Sequence, residues 1–128
     1  MKKYIKSSNA IGEPPVTIMW GDNLCAVYKE QYNYGGGTAL LMWDMTNGEF
    51  WGDVSINLPA YSLEPNEIFL QGFIDSKGIK YLSPILKVTG EVKNNHGRYK
   101  MAEIKPEVFD KIPTWAELEP LLSIRSKL

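Results

Sequence analysis

Two carboxylates, Asp44 and Asp53, stand on either side of Asn47-Gly48 in the stretch TALLMWDMTNGEFWGDVSIN. Asn-Gly is the pair best suited to the positive φ angles of a two-residue type I′ hairpin turn. Counting outward from it opposes Met45 to Phe50, Asp44 to Trp51, Trp43 to Gly52, Met42 to Asp53 and Leu41 to Val54. Directly opposed residues share a face. One face then holds Met45, Trp43, Leu41, Ala39, Phe50, Gly52, Val54 and Ile56, all apolar. The other holds Asp44, Glu49, Trp51 and Asp53 with Met42, Leu40, Thr38, Ser55 and Asn57. In that register Asp44 and Asp53 are diagonal neighbours, about 7–8 Å apart.

Such a pair suggests three uses. Paired carboxylates can act as acid and base or hold a hard divalent cation, which would make an enzyme. An outward Trp51 among Asp44, Glu49 and Asp53 can instead anchor a protein partner, tryptophan being enriched at binding hot spots. Solvated acids on a strand are the ordinary alternative. The non-enzymatic, protein-binding use is the leading reading, with no cofactor and no metal expected.

Other groups with chemical potential stand apart from one another. Gly35-Gly36-Gly37 lead into a strand with no Lys-Ser/Thr pair behind them, whereas a phosphate loop joins a strand to a helix. They read as a flexible connection or bulge. His96, the single histidine, sits in the turn KNNHG, and nothing links it to a nucleophile. Cys25 lies in the apolar run LCAVY and reads as a buried structural thiol. Tyr28 and Tyr32, with Lys2, Lys3 and Lys6, would have to form one basic aromatic strip to bind single-stranded nucleic acid.

These groups are carried on elements of ordinary signature. Val16 to Trp20 and Leu24 to Gln31 form a hairpin about Gly21-Asp22-Asn23, and Glu67 to Ile74 reads as an interior strand. Ser83-Pro84 and Gly90 bracket PILKVT like the start and stop of a short helix, and Ile79, Leu82, Ile85 and Leu86 fit helical spacing, with a strand through Ile85 to Val88 as the competing reading. Arg98 to Lys105 alternates as a strand. Pro106 opens a helix, Thr114 and Glu117 have capping-box spacing, and Pro120 should break the helix that follows. The fold class is therefore α+β: a mostly antiparallel sheet of five or six strands with short helices on one face.

The chain has 128 residues, 44% hydrophobic and 23% charged, enough for one domain with a real core. Residues 1–15 read as a flexible N-terminal arm and 16–128 as one globular domain. The net charge of −1 and pI near 5.8 make nucleic acid an unlikely partner, though they leave room for a local basic patch. No apolar run suits a signal peptide or a membrane span, and one unpaired cysteine suits the cytoplasm.

The segments TALLMWDMTNGEFWGDVSINLP and NEIFLQGFIDSKGIKYLSPILKVTGEV resemble a small uncharacterised domain family carried on bacterial conjugative elements and phages. The resemblance spans Leu24 to Ile104 and rests on the pattern of hairpin, loop, strand and glycine-ended segment. It implies a bacterial cytoplasmic setting and an accessory role on a mobile element. It transfers no functional residue.

Overall fold

The computed structural model describes residues 13–126, with side chains through Leu122. Most of the expected arm, residues 1–12, with Lys2, Lys3 and Lys6, lies outside the described residues. From Thr17 the chain makes β1 (Thr17–Trp20), β2 (Asn23–Gln31), β3 (Thr38–Asp44) and β4 (Glu49–Asp53). These form one antiparallel sheet in the order β1-β2-β3-β4. It continues through β5 (Ser55–Ile56), β6 (Glu67–Leu70), α1 (Ser76–Leu82), β7 (Leu86–Asn94) and β8 (Gly97–Ile104). The second sheet has the order β5-β6-β8-β7. Two helices close the chain, α2 (Pro106–Phe109) and α3 (Trp115–Ser126).

The α+β class is as expected, with antiparallel pairing and short helices. The strand arrangement differs: among the described residues eight strands stand in two sheets rather than five or six in one. The two sheets share a core. Ile18, Val27, Leu40 and Met42 come from the first, and Ile68, Leu70, Ala102 and Ile104 from the second.

The chain crosses between sheets at Val54. Its N–H donates to the Leu40 carbonyl in the first sheet, and its carbonyl accepts from the Gln71 N–H beside the second. One residue thus satisfies backbone groups of both sheets, which lets a single extended run turn the corner. On the other flank α1 contacts the edge strands β1 and β7. Gly78 on α1 has no room for a side chain, because a Cβ there would lie 2.9 Å from the Trp20 ring.

In the segment 76–94 the competing strand is the one that forms, and the helix lies before PILKVT. Asp75 caps α1 by accepting from the Gly78 N–H at 2.9 Å, so the DSKG stretch starts the helix. Pro84 follows the C-cap Ser83, and Leu86 to Val88 pair with β8 as strand. The spacing of Ile79, Leu82, Ile85 and Leu86 fits a helix, but only the first half of that run is one. β6 likewise stops at Leu70, and Gln71 to Ile74 turn back with Ile74 N–H donating to the Gln71 carbonyl.

The C-terminal caps are as expected. Thr114 N–H donates to Glu117 Oε1 at 2.9 Å, and Glu117 N–H returns to Thr114 Oγ1 at 3.3 Å. Glu30 Oε2 accepts the Trp115 N–H at 2.7 Å, placing a carboxylate at the positive end of α3. Pro120 does not break this helix, which runs through it. Leu118, Leu121 and Leu122 bury against Ala26 and Tyr28 of β2 and Met45 just after β3, and that packing outweighs the backbone hydrogen bond that proline cannot donate. Thus α3 covers the outer face of the first sheet. Helices do not lie on one common face.

Candidate functional site

The hairpin that carries Asp44 and Asp53 does not have the two-residue turn. Asp44 opposes Glu49, Trp43 opposes Phe50, Met42 opposes Gly52 and Leu41 opposes Asp53. The reversal is a four-residue loop, Met45 to Gly48, in which Gly48 alone takes a positive φ of 71°. Gly48 N–H donates to the Asp44 carbonyl at 2.8 Å. A type I′ turn needs positive φ at both central residues, and Asn47 does not supply it. The longer loop is compensated by a bulge, with Trp51 as the extra residue opposite the step from Met42 to Trp43.

Bulge and loop together undo the expected faces. Met42 and Trp51 belong to the core between the sheets, while Leu41 and Trp43 pack under α3. Asp53, opposite Leu41, therefore lies on the α3 side. Asp44, opposite Cys25, lies on the core side. The four expected site residues do not form one surface: Glu49 is exposed, Trp51 half-buried, Asp53 exposed on the other face, and Asp44 only 4% exposed.

Asp44 is committed to the turn. One carboxylate oxygen accepts from the Thr46 and Asn47 N–H groups at 2.9 and 3.1 Å, and the other from Asn47 Nδ2 at 2.7 Å. A carboxylate so engaged, on the opposite face from Asp53, cannot pair with it for acid–base work or for holding one cation. Among the described residues, no three His, Cys, Asp or Glu side chains gather as a metal-holding group. Tyr28 is buried against Trp115 and Tyr32 bonds Ser55, so the strip needed for stacking single-stranded bases is not formed either.

What the fold does assemble is an aromatic rim at the mouth between the sheets. Trp20 of β1 meets Trp51 of β4 with ring centroids 4.6 Å apart and Tyr81 of α1 at 5.1 Å. Phe73, on the turn after β6, lies 6.2 Å from Trp51 and is 63% exposed. Four elements distant in sequence contribute one ring each. Trp51 was visible as a candidate in the sequence, but its neighbours were not, because no local spacing relates β1, β4, the Phe73 turn and α1.

A second feature lies at the glycines. Gly35 and Gly36 take φ of 87° and 71° in the loop from β2 to β3, closed by Tyr32 N–H to the Gly37 carbonyl at 2.7 Å. A strand follows, as expected for a connection and not for a phosphate loop. A cleft of about 260 Å3 separates these glycines from the loop after β5, with Tyr32, Asn57, Tyr61 and Phe69 in its wall and no charged side chain. Behind it, Tyr32 Oη and Ser55 Oγ are 2.7 Å apart, and buried Ser55 accepts the Leu40 N–H at 2.9 Å. Burial raises the Tyr32 pKa, the Ser55 bond opposes this, and the Asp53 carboxylate adds to it. The polar side chains in its wall are the hydroxyls of Tyr32, Thr38, Tyr61 and Ser62 and the Asn57 amide, groups that offer a ligand hydrogen bonds beside ring contact.

Comparison of the chain with family models, curated proteins and solved structures finds no match. Among the described residues, no helix is long and apolar enough to cross a membrane.

Cys25 is buried, as its sequence neighbours imply. Burial, with a lesser push from the Asp44 carboxylate, takes its thiol up to about 12. Burial with the Asp53 and Glu30 carboxylates takes Tyr28 to about 12. At pH 8 the thiolate fraction is about one part in ten thousand. A thiol reagent at pH 8 is expected to label Cys25 only when the protein is unfolded. Both groups stay neutral more firmly in the fold than in the unfolded chain. Their contribution to stability is therefore full below the unfolded values of 9.0 and 10.0 and declines as pH rises toward about 12. Urea midpoints flat from pH 6 to 8 and falling above pH 9 would show this. Rapid native labelling would contradict it.

Proposed function

We propose that this protein is a non-enzymatic interaction module that binds a protein partner through the rim of Trp20, Trp51, Phe73 and Tyr81. The observation that carries this reading is Phe73, a large apolar ring held 63% exposed beside Trp51. Folding alone would favour burying that ring or replacing it with a polar residue. Clustered aromatics are the side chains that dominate binding energy at interfaces. Exposed carboxylates stand near the rim: Glu49 on the strand of Trp51, Asp75 at the start of α1, and Asp22 in the turn beside Tyr81. The partner segment that fits is an apolar side chain flanked by lysine or arginine. The expected acidic and aromatic surface thus keeps Glu49 and Trp51, and exchanges Asp44 and Asp53 for Trp20, Phe73 and Tyr81. The resemblance to a mobile-element family supports reading this role as that of an accessory protein in a bacterial cytoplasm.

The test compares wild type with Phe73→Ala in capture from a bacterial lysate, followed by titration of the captured protein with tryptophan emission as readout. Truncating an exposed ring leaves the melting temperature nearly unchanged. Affinity is expected to fall by roughly 5–30-fold, the effect of losing an interface anchor. Equal affinity of the two proteins for the captured partner would remove this reading.

A further inference from the structure

Within residues 13–122 the hairpin of β7 and β8 is the basic part. From Lys87 to Lys105 it carries five basic and two acidic side chains. The remainder of residues 13–122 carries four basic and thirteen acidic. The chain's net charge of −1 includes five further basic residues outside this range, Lys2, Lys3, Lys6, Arg125 and Lys127.

The end of the hairpin is a two-stranded ribbon beyond the last β6 pair, with the β7 edge unpaired and the turn from Gln71 to Ile74 beside Arg98, Tyr99 and Lys100 on the β8 side. Glu91 pairs with Lys100, Val92 with Tyr99, Lys93 with Arg98 and Asn94 with Gly97, whereas β6 pairs with β8 only from Met101 to Glu103. Alternation puts Glu91, Lys93, Arg98 and Lys100 on one face. Lys93 and Arg98 are directly opposed, a like-charge pair that disfavours the hairpin. Glu91 relieves it only in part: its carboxylate meets Arg98 at 3.3 Å, with the Arg98 side chain 68% exposed. Three cations and one carboxylate thus crowd a narrow projecting surface. Asn95 and His96 form its exposed tip, where Asn94 Oδ1 accepts the His96 N–H at 2.8 Å.

We infer that this ribbon is a nucleic-acid arm that enters the major groove of duplex DNA, with Lys93, Arg98 and Lys100 against phosphates. The dimensions agree. Four cross-strand pairs at about 3.4 Å per residue extend roughly 10–14 Å, and the groove is about 12 Å wide and 8.5 Å deep, room for a two-stranded ribbon. Within residues 13–122 the acidic remainder repels phosphate and leaves the ribbon as the approach. The bulge between Val88 and Gly90 bends β7 at the base of the arm. This surface is separate from the aromatic rim, and either can fail without the other.

The test is fluorescence anisotropy of a labelled 20-base-pair duplex from 50 to 200 mM salt, with the full chain. Three phosphate contacts predict a slope of log K against log salt of about −2.7. Lys93→Ala with Arg98→Ala is expected to weaken binding at 50 mM by at least about tenfold and to bring the slope to about −1. Lys77→Ala with Lys80→Ala removes the same charge from α1 and should leave binding within about twofold. Arg98 is so exposed that losing its ion pair costs little stability, so the first variant remains folded. No salt-dependent binding by wild type would overturn the inference. So would equal loss in both double variants, or equal affinity for a single strand of the same length.

Discussion

Asp44→Ala is expected to destabilise the protein by about 2–4 kcal/mol, lowering the urea midpoint without changing the slope of the transition. The side chain is 4% exposed and accepts from Thr46 N–H, Asn47 N–H and Asn47 Nδ2. Bonds to an ionised acceptor are each worth about 1.5–3 kcal/mol. Their sum is not the expected cost, since the half-buried Thr46 and the exposed Asn47 can recover water as partners. Asp44→Asn keeps one acceptor oxygen for the two backbone donors but turns an amide NH2 toward that of Asn47, so about 1–2 kcal/mol is expected. The result separates two structures of the hairpin. In the two-residue turn Asp44 is a solvated strand residue, and its loss would fall within about 0.5 kcal/mol. Asp53→Ala provides the contrast, being exposed and outside that network.

Leu118→Ala should cost about 2–5 kcal/mol, the range for truncating a fully buried leucine. Leu118 has no exposed surface and lies among Ala26, Tyr28, Met45, Leu121 and Leu122, with Trp43 and Trp115 packed alongside. The spread depends on how far α3 can settle into the gap. Its N-terminus is pinned by the Thr114–Glu117 box, by Glu30 on the Trp115 N–H, and by Lys29 N–H on the Pro113 carbonyl at 2.9 Å. That anchoring limits settling and favours the upper half of the range. Trp43 and Trp115 ring centroids lie 5.4 Å apart across this contact, so native tryptophan emission should shift with the loss of stability. A cost under about 0.5 kcal/mol, with unchanged emission, would mean that α3 does not cover the sheet.

Where signals are local, the sequence was sufficient. Gly21 turns β1 into β2 with a positive φ at that residue alone, Pro106 opens α2, and Thr114 with Glu117 caps α3. The position of the reversal near Asn47-Gly48 was likewise legible, as were the turn at His96, the strand after the three glycines and the burial of Cys25. Each depends on a few adjacent residues whose backbone preferences or hydrogen bonds act within one turn.

Tertiary structure decided what the strands face. In β3, Leu40 and Met42 point to one core while Leu41 and Trp43 point to another, so hydrophobic alternation is nearly silent about which side is inner. The expected register followed from the turn type and from the apolar face it produced, and the Trp51 bulge moved Asp53 to the other face from Asp44. The extent of α1 was settled by Asp75 and by Trp20 resting on Gly78, and the strand at Leu86 to Val88 by pairing with Ala102 and Ile104. The aromatic rim has the same origin. Its rings meet because α1 and the Val54 crossing close two sheets around one core, a long-range packing outcome that no short window of residues encodes.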